Sequence, residues 1–166
     1  TRCQKRESEL SAAQTTIYEL HITVSGSCCR NLKEASINME YAKLGNTEIE
    51  VSKLCVGCMS FGKAGTLHDW TVDEAETEKI VKHALDLGIN FFDTANGYSE
   101  GTSEEYLGRA VRKNISRDKV VIASKVYFNP GRLSSEAIHR EIDGSLKRLG
   151  TDYLDLYIIH RFDYDT

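Results

Sequence analysis

Four strand-like runs, separated by helix-like segments, recur at a spacing of roughly 33 residues, a pattern that calls for parallel strands joined by right-handed crossovers. The runs begin near residues 54, 89, 120 and 153. The first buried strand is expected around Leu54–Gly57. Thr71 and Glu74 then have capping-box spacing and should open a helix. Its stripe is Ile80, Val81, Ala84, Leu85 and Leu87, and Gly88 fits the stop. Ile89–Asp93 reads as the second strand. Thr102 with Glu105 repeats the capping-box spacing and predicts a second helix to about Arg112. Val120–Val126 is rich in β-branched residues and reads as the third strand. A third helix is expected from about Ser135 to Leu149, with Ala137, Ile138, Ile142 and Leu146 on one side and Gly150 as its end. Tyr153–His160 is the fourth strand. Ahead of the repeat, Tyr41–Leu44 and Ile49–Val51 flank the turn-type tripeptide Gly45-Asn46-Thr47 and predict a hairpin. A (β/α)₈ barrel and an open doubly wound sheet share this alternation, so periodicity alone leaves both open.

Residues 1–38 have a different texture, with weak periodicity and many Ser, Thr and Cys. They lack the apolar centre of a signal peptide, and Glu7, Glu9, Glu19 and Glu34 argue against an organelle transit sequence. They read as an extension outside the fold; a short partner-binding arm is the alternative. Residues 39–166 are expected to form the domain. The formal net charge is −4, and the basic residues are interleaved with acidic ones, so no nucleic-acid surface is expected. No stretch has the apolar length of a membrane span.

Cys3, Cys28, Cys29, Cys55 and Cys58 are odd in number and unlike a secreted disulfide framework, which points to a reducing cytoplasm. Cys55-Val56-Gly57-Cys58 has CxxC spacing. On an extended strand its side chains would face opposite ways, about 10 Å apart, and no second ligand pair accompanies them. No metal site is expected. Asn114-Ile115-Ser116 is formally a glycosylation sequon, but nothing else points to secretion.

The polar residues at the strand ends carry the chemistry. Ile89–Asp93 ends in a carboxylate, Val121–Lys125 in an amine and Leu156–His160 in an imidazole. Neighbouring parallel strands would aim all three at the face where barrel active sites are built. Tyr98 follows Asp93 in the loop and can fold back over the same spot. Each residue also has a plain structural use. Asp93 could cap its loop, Lys125 could be an ordinary strand-end charge, His160 a satisfied core histidine and Tyr98 loop packing. Their coincidence favours chemistry. A lysine ammonium beside a tyrosine favours the phenolate and lowers the phenol's pKa from about 10. A carboxylate beside the lysine keeps it charged and placed. Such a tyrosine can give a proton to a carbonyl oxygen, and a histidine can hydrogen-bond and orient that oxygen. A hydride donor must come from elsewhere.

Gly88-Ile89-Asn90-Phe91-Phe92-Asp93-Thr94-Ala95, then Tyr98, Ser103-Glu104-Glu105 and Leu107-Gly108, resembles the aldo-keto reductase family's signature around its second strand and helix. Ser124-Lys125-Val126, Ser145-Leu146 with Arg148-Leu149, Asp152-Tyr153-Leu154-Asp155-Leu156 and Ile159-His160-Arg161 match later family motifs. Val51-Ser52-Lys53-Leu54 and Gly57-Cys58-Met59 resemble its hairpin and first strand. The run His160-Arg161-Phe162-Asp163 is most similar to the aryl-alcohol-dehydrogenase-like and related bacterial branch. The resemblance implies a (β/α)₈ barrel that reduces aldehydes or ketones with NADPH. It makes Tyr98 the general acid, tuned by Lys125 and Asp93, with His160 orienting a small carbonyl substrate. Gly57, Cys58 and Met59 are expected near the nicotinamide, though tight strand-end packing is as good a use for them. Trp70, in the loop with His68 and Asp69, is a candidate substrate contact.

Only four of eight strands are expected here, with the first and fourth left as sheet edges. The expectation is therefore a barrel truncated after about its fourth strand, inactive alone. Two other readings compete. The potassium-channel β-subunits resemble this family and act mainly as binding partners, but His160 stands where that group usually has another residue. A Schiff-base aldolase would use Lys125 as nucleophile, which needs a desolvated, lowered pKa that Asp93 would oppose.

Overall fold

The computed structural model describes residues 38–166 apart from Leu67. The proposed extension, but for Asn38, and Cys3, Cys28 and Cys29 lie outside the described residues. The elements run β1 (Tyr41–Lys43), β2 (Glu50–Ser52), β3 (Val56–Gly57), α1 (Glu74–Asp86), β4 (Phe91–Asp93), α2 (Thr102–Asn114), β5 (Val121–Val126), α3 (Ser135–Leu149) and β6 (Leu156–Ile159). β1 and β2 pair antiparallel as the expected hairpin, with Tyr41 opposite Ser52. The other four strands form one parallel sheet in the order β3-β4-β5-β6, so β3 and β6 are its outer strands. Among the described residues, no helix is long and apolar enough to cross a membrane.

The core lies between this sheet and the helices. Phe92 and Ile122, in register on β4 and β5, pack with Val81, Leu107, Val111 and Leu149. Burying each large apolar side chain contributes roughly 1.5–3 kcal/mol. Alternation along a strand then places the odd-numbered Asp93 and Lys125 on the opposite face. Ser124 confirms the assignment, because its Oγ donates to Glu104 on α2 at 2.6 Å.

The hairpin is tied to the N-terminal end of β4 through Asn90. Ser52 N–H donates to Asn90 Oδ1 at 2.7 Å, and Asn90 N–H donates to Ser52 Oγ at 3.2 Å. Between β5 and β6, Asp155 Oδ2 accepts from Ile122 N–H at 2.8 Å and from Arg117 at 2.6 Å. Asp155, of the 152–155 motif, thus clamps the sheet.

Several expected boundaries shift. The first strand is shorter than Leu54–Gly57, and Leu54 is 58% exposed because β3 has no neighbour on that side. β6 likewise covers only part of Tyr153–His160. Thr71 does not cap α1: Asp73 does, its carboxylate accepting from Glu76 N–H at 2.9 Å. Thr102 is inside α2 and its hydroxyl donates to Ser99 O at 2.6 Å, leaving Gly101 at the cap in a left-handed conformation. β5 and α3 fall within one residue of expectation, with Ser134 as the α3 cap and Gly150 left-handed at its end.

Gly108 sets how closely α2 and α3 approach. A Cβ there would lie 2.1 Å from the Leu149 carbonyl oxygen. Backbone cannot swing aside as a side chain can, so Gly108→Ala must separate the two helices. A loss of at least about 2 kcal/mol is expected, read from urea unfolding midpoints. An unchanged midpoint would mean that the helices do not pack this closely.

Candidate active site

Asp93 ends β4, Lys125 is the next-to-last residue of β5, and His160 directly follows β6. The parallel register puts Gly57 beside Asp93 and Asp93 beside Ala123. Past β4 the chain keeps its sheet bonds for a few residues. Thr94 N–H donates to Ala123 O and Asn96 N–H to Lys125 O. It then turns sharply. Ser99 and Glu100 adopt left-handed φ values of 47° and 54°, a cost of order 1–3 kcal/mol for each non-glycine residue. Buried Ser99 holds the turn by donating to Phe61 O at 3.1 Å. This strained turn begins at Tyr98 and folds its side chain back over the strand ends.

The Asp93 and Tyr98 side chains meet at Lys125 Nζ. It lies 2.7 Å from Asp93 Oδ2, 2.8 Å from Thr94 O and 3.3 Å from Tyr98 Oη. The ion pair is mostly buried, so it is screened far less than a surface pair. His160 joins by ring packing. Its centroid is 5.5 Å from that of Tyr98, with the planes at 86°. Its backbone N–H donates to Val126 O at 3.0 Å, which fixes where the residue leaves β6. The structure thus brings together all four of the residues singled out at the strand ends.

Burial holds the His160 imidazole below its ordinary pKa, and the Lys125 ammonium pushes the same way against the pull of Asp93. The ring is neutral at pH 7. Its proton is taken up less readily in the folded chain than in the unfolded one. Stability is therefore unaffected above about pH 6.5 and falls as pH drops from there through the folded value. Following the His160 ring protons by NMR should give a midpoint under about 6.5; a midpoint above it would contradict this environment.

The outer candidates divide. Gly57 and Met59 are exposed, whereas Cys58 is fully buried at the start of a short 3₁₀ turn. Its carbonyl accepts from Ser103 Oγ at 2.7 Å and its thiol donates to Val56 O at 3.4 Å. Cys55 and Cys58 are both free thiols. Burial pushes the Cys58 thiol up strongly and Cys55 to about 11, so neither is a ready nucleophile. Trp70 is 54% exposed and stacks on His68 at 4.4 Å. Asn114, the sequon residue, donates its side-chain amide to Ala110 O at 2.8 Å. A shallow, open depression of about 700 Å³ lies near Arg112, Arg117 and Thr151, away from Asp93, Tyr98, Lys125 and His160.

Sequence reasoning missed Phe128 and the part that Glu104 plays. Phe128 follows β5 and meets His160 at 5.0 Å. Only its distance of three residues from Lys125 hinted at the site. Glu104 appeared within a motif, with no sign that it would be buried and paired.

Comparison with known proteins agrees with this geometry. The model of the aldo/keto reductase family matches residues 53–166. A Schizosaccharomyces pombe protein that carries the name aryl-alcohol dehydrogenase is 42% identical over 152 residues, covering 74% of this chain and 43% of its own length. A thermostable aldo-keto reductase solved with the inhibitor epalrestat is 34% identical with a TM-score of 0.65, over 77% of this chain and 45% of that one. An aldo/keto reductase from Klebsiella pneumoniae, solved with NADP and acetate, is 35% identical with a TM-score of 0.56, over 69% and 38%. The chain thus spans less than half the length of these relatives, and its four parallel strands correspond to part of their (β/α)₈ barrel. On this match and on its own strand order, the chain belongs to the aldo/keto reductase family.

Proposed function

We propose that this chain carries the proton-transfer half of an NADPH-dependent reductase of aldehydes and ketones. The convergence of Asp93, Thr94 O and Tyr98 Oη on the Lys125 ammonium is the observation that carries this reading. A charged lysine held by a carboxylate sits against the phenol and stabilises the phenolate left behind when the proton departs. Tyr98 therefore acts as general acid toward the carbonyl oxygen. Neutral His160 offers a ring N–H to the same oxygen and fixes its approach. Asp93 holds the Lys125 ammonium in place through their 2.7 Å ion pair.

The residues present fit a nicotinamide beside Asp93. A Cβ built on Gly57, the register partner of Asp93, meets nothing within 4 Å, so the floor next to the ion pair is open. Gly57 and Met59, both exposed, are the groups that would border the ring there, and buried Cys58 between them is anchored by Ser103 Oγ. When bound, NADPH supplies the hydride that protein side chains cannot. The NADP in the Klebsiella relative and the name of the fission-yeast relative favour this cofactor and an aryl carbonyl substrate. Residues 39–166 form the half-barrel in this reading, and residues 1–38 precede it as an extension.

The reading concerns a complete barrel. Residues 39–166 joined to the second half of the thermostable relative should oxidise NADPH when given 4-nitrobenzaldehyde. The chain by itself should not. A folded chimera that binds NADPH and leaves the aldehyde untouched would count against the proposal.

A further inference from the structure

His160 is held in an unusual way. Neither ring nitrogen has a hydrogen-bond partner among the described residues, and Nδ1 is buried. A histidine's outer torsion is broad and roughly two-fold, so without hydrogen bonds its ring plane must be set by packing. Two rings supply that packing. Tyr98 meets His160 at 86° and Phe128 meets it at 83°, with centroids 5.5 and 5.0 Å away.

Phe128 is itself fixed on three further sides, the first being the Tyr127 ring, which meets it at 86° with centroids 5.1 Å apart. The Arg161 guanidinium lies 5.1 Å from its ring centroid, a cation–π contact of about 0.5–1 kcal/mol at an exposed site. Gly97, the residue before Tyr98, provides room for it. A Cβ at Gly97 would come within 3.2 Å of Phe128 Cβ. Phe128 is nevertheless 51% exposed, so burial of this ring in the core does not explain its position.

We propose that Phe128 is a positioning residue that sets the plane of the His160 imidazole, with Gly97 and Arg161 holding it in place. The role rests on the reductase reading only in so far as His160 orients the substrate oxygen. The ring packing can be tested without turnover. The tightest requirement falls on Gly97, because any side chain there displaces Phe128 away from the loop that carries Tyr98.

The test compares Phe128→Ala, Phe128→Tyr and Gly97→Ala in this chain by NMR, with the full barrel chimera as a second arm. In the wild-type chain the His160 ring protons should show cross-relaxation to both Phe128 and Tyr98, and ring-current displacement from the two. Phe128→Ala should abolish the displacement due to Phe128, weaken the contacts to Tyr98 and broaden the His160 signals as its ring samples two orientations. Phe128→Tyr should restore the wild-type pattern, and Gly97→Ala should resemble Phe128→Ala in weaker form. In the chimera, Phe128→Ala should lower kcat about tenfold or more with little change in KM, since misplacing one group by about 1 Å can cost a hundredfold. A folded Phe128→Ala chain whose His160 contacts to Tyr98 are unchanged would overturn the proposal while leaving the reductase reading intact. An inactive chimera with the expected His160 changes would overturn the reductase reading and leave the packing role standing.

Discussion

Replacing Glu104 with Ala is expected to cost this chain about 3–5 kcal/mol of stability. Glu104 is fully buried on α2. One carboxylate oxygen accepts from Ser124 Oγ on β5 and the other from Arg148 Nε on α3, both at 2.6 Å. Two helices and the sheet thus share one ion. Removing it leaves the Arg148 guanidinium, only 26% exposed, without its counter-charge, and orphans the buried Ser124 hydroxyl. A domain of this size is stable by about 5–15 kcal/mol, so the variant would be near or past its threshold. Glu104→Gln should lose less, because it retains an acceptor for Ser124 and fills the same space. The pair Glu104→Leu with Arg148→Met should recover much of the loss, since an apolar pair of similar volume removes both desolvated charges. Urea unfolding of the four proteins measures the series. A Glu104→Ala loss under about 1 kcal/mol, within the range of a surface pair, would show that the carboxylate is hydrated and the network unimportant.

Little of that network was legible in the sequence, and the reason is geometric. Glu104 and Glu105 are adjacent charges at the start of a helix, and only the packing of α2 on β5 decides which one turns inward. The strand-end residues were legible because a parallel sheet imposes a rule. Alternation fixes the face and the repeat fixes the end, so Asp93, Lys125 and His160 could be placed together before any contact was known. Tyr98 was placed only approximately. Its position depends on left-handed backbone at Ser99 and Glu100, residue types that carry no signal for it, and the Phe61 carbonyl that stabilises the turn is 38 positions away. The two misplaced caps show the same limit at short range. Thr71 and Thr102 had the right partner three residues on, but Asp73 offers a carboxylate closer to the first turn. The Thr102 hydroxyl is drawn to Ser99 O and to Lys63 N–H instead. β5 was read well because its β-branched run is paired along its length, whereas interior β4 starts two residues later than expected, where Asn90 turns its side chain to the hairpin. β3 and β6 were also overextended, and each has a strand neighbour on one side only among the described residues.

Tyr98→Phe should then lower kcat for carbonyl reduction in the full barrel by roughly 10²–10⁴-fold, the usual contribution of a positioned general acid. That range corresponds to about 2.7–5.4 kcal/mol of transition-state stabilisation. The substitution is selective because most of what Tyr98 touches involves its ring. The near-perpendicular contact with His160 and the Lys125 Nζ placed 4.9 Å from the ring centroid remain available to phenylalanine. What disappears is the hydroxyl 3.3 Å from Lys125 Nζ, with its proton. Lys125 retains Asp93 and Thr94 O, so it is not stranded, and folding stability should change little. KM should also change little, because a bound carbonyl still meets His160. Lys125→Met makes the complementary case. It leaves the phenol in place but removes the charge that favours its ionised form and unpairs the Asp93 carboxylate, so both rate and stability should fall. Stopped-flow single turnovers with NADPH and 4-nitrobenzaldehyde separate chemistry from release. A Tyr98→Phe enzyme that keeps more than about a tenth of the wild-type rate, against a minimum loss of roughly 10²-fold for a general acid, would move the proton source elsewhere. Among the described residues, the titratable ring that meets Tyr98 is that of His160, whose pKa is held below its ordinary value, so that it is neutral at pH 7 and a far weaker donor in that form.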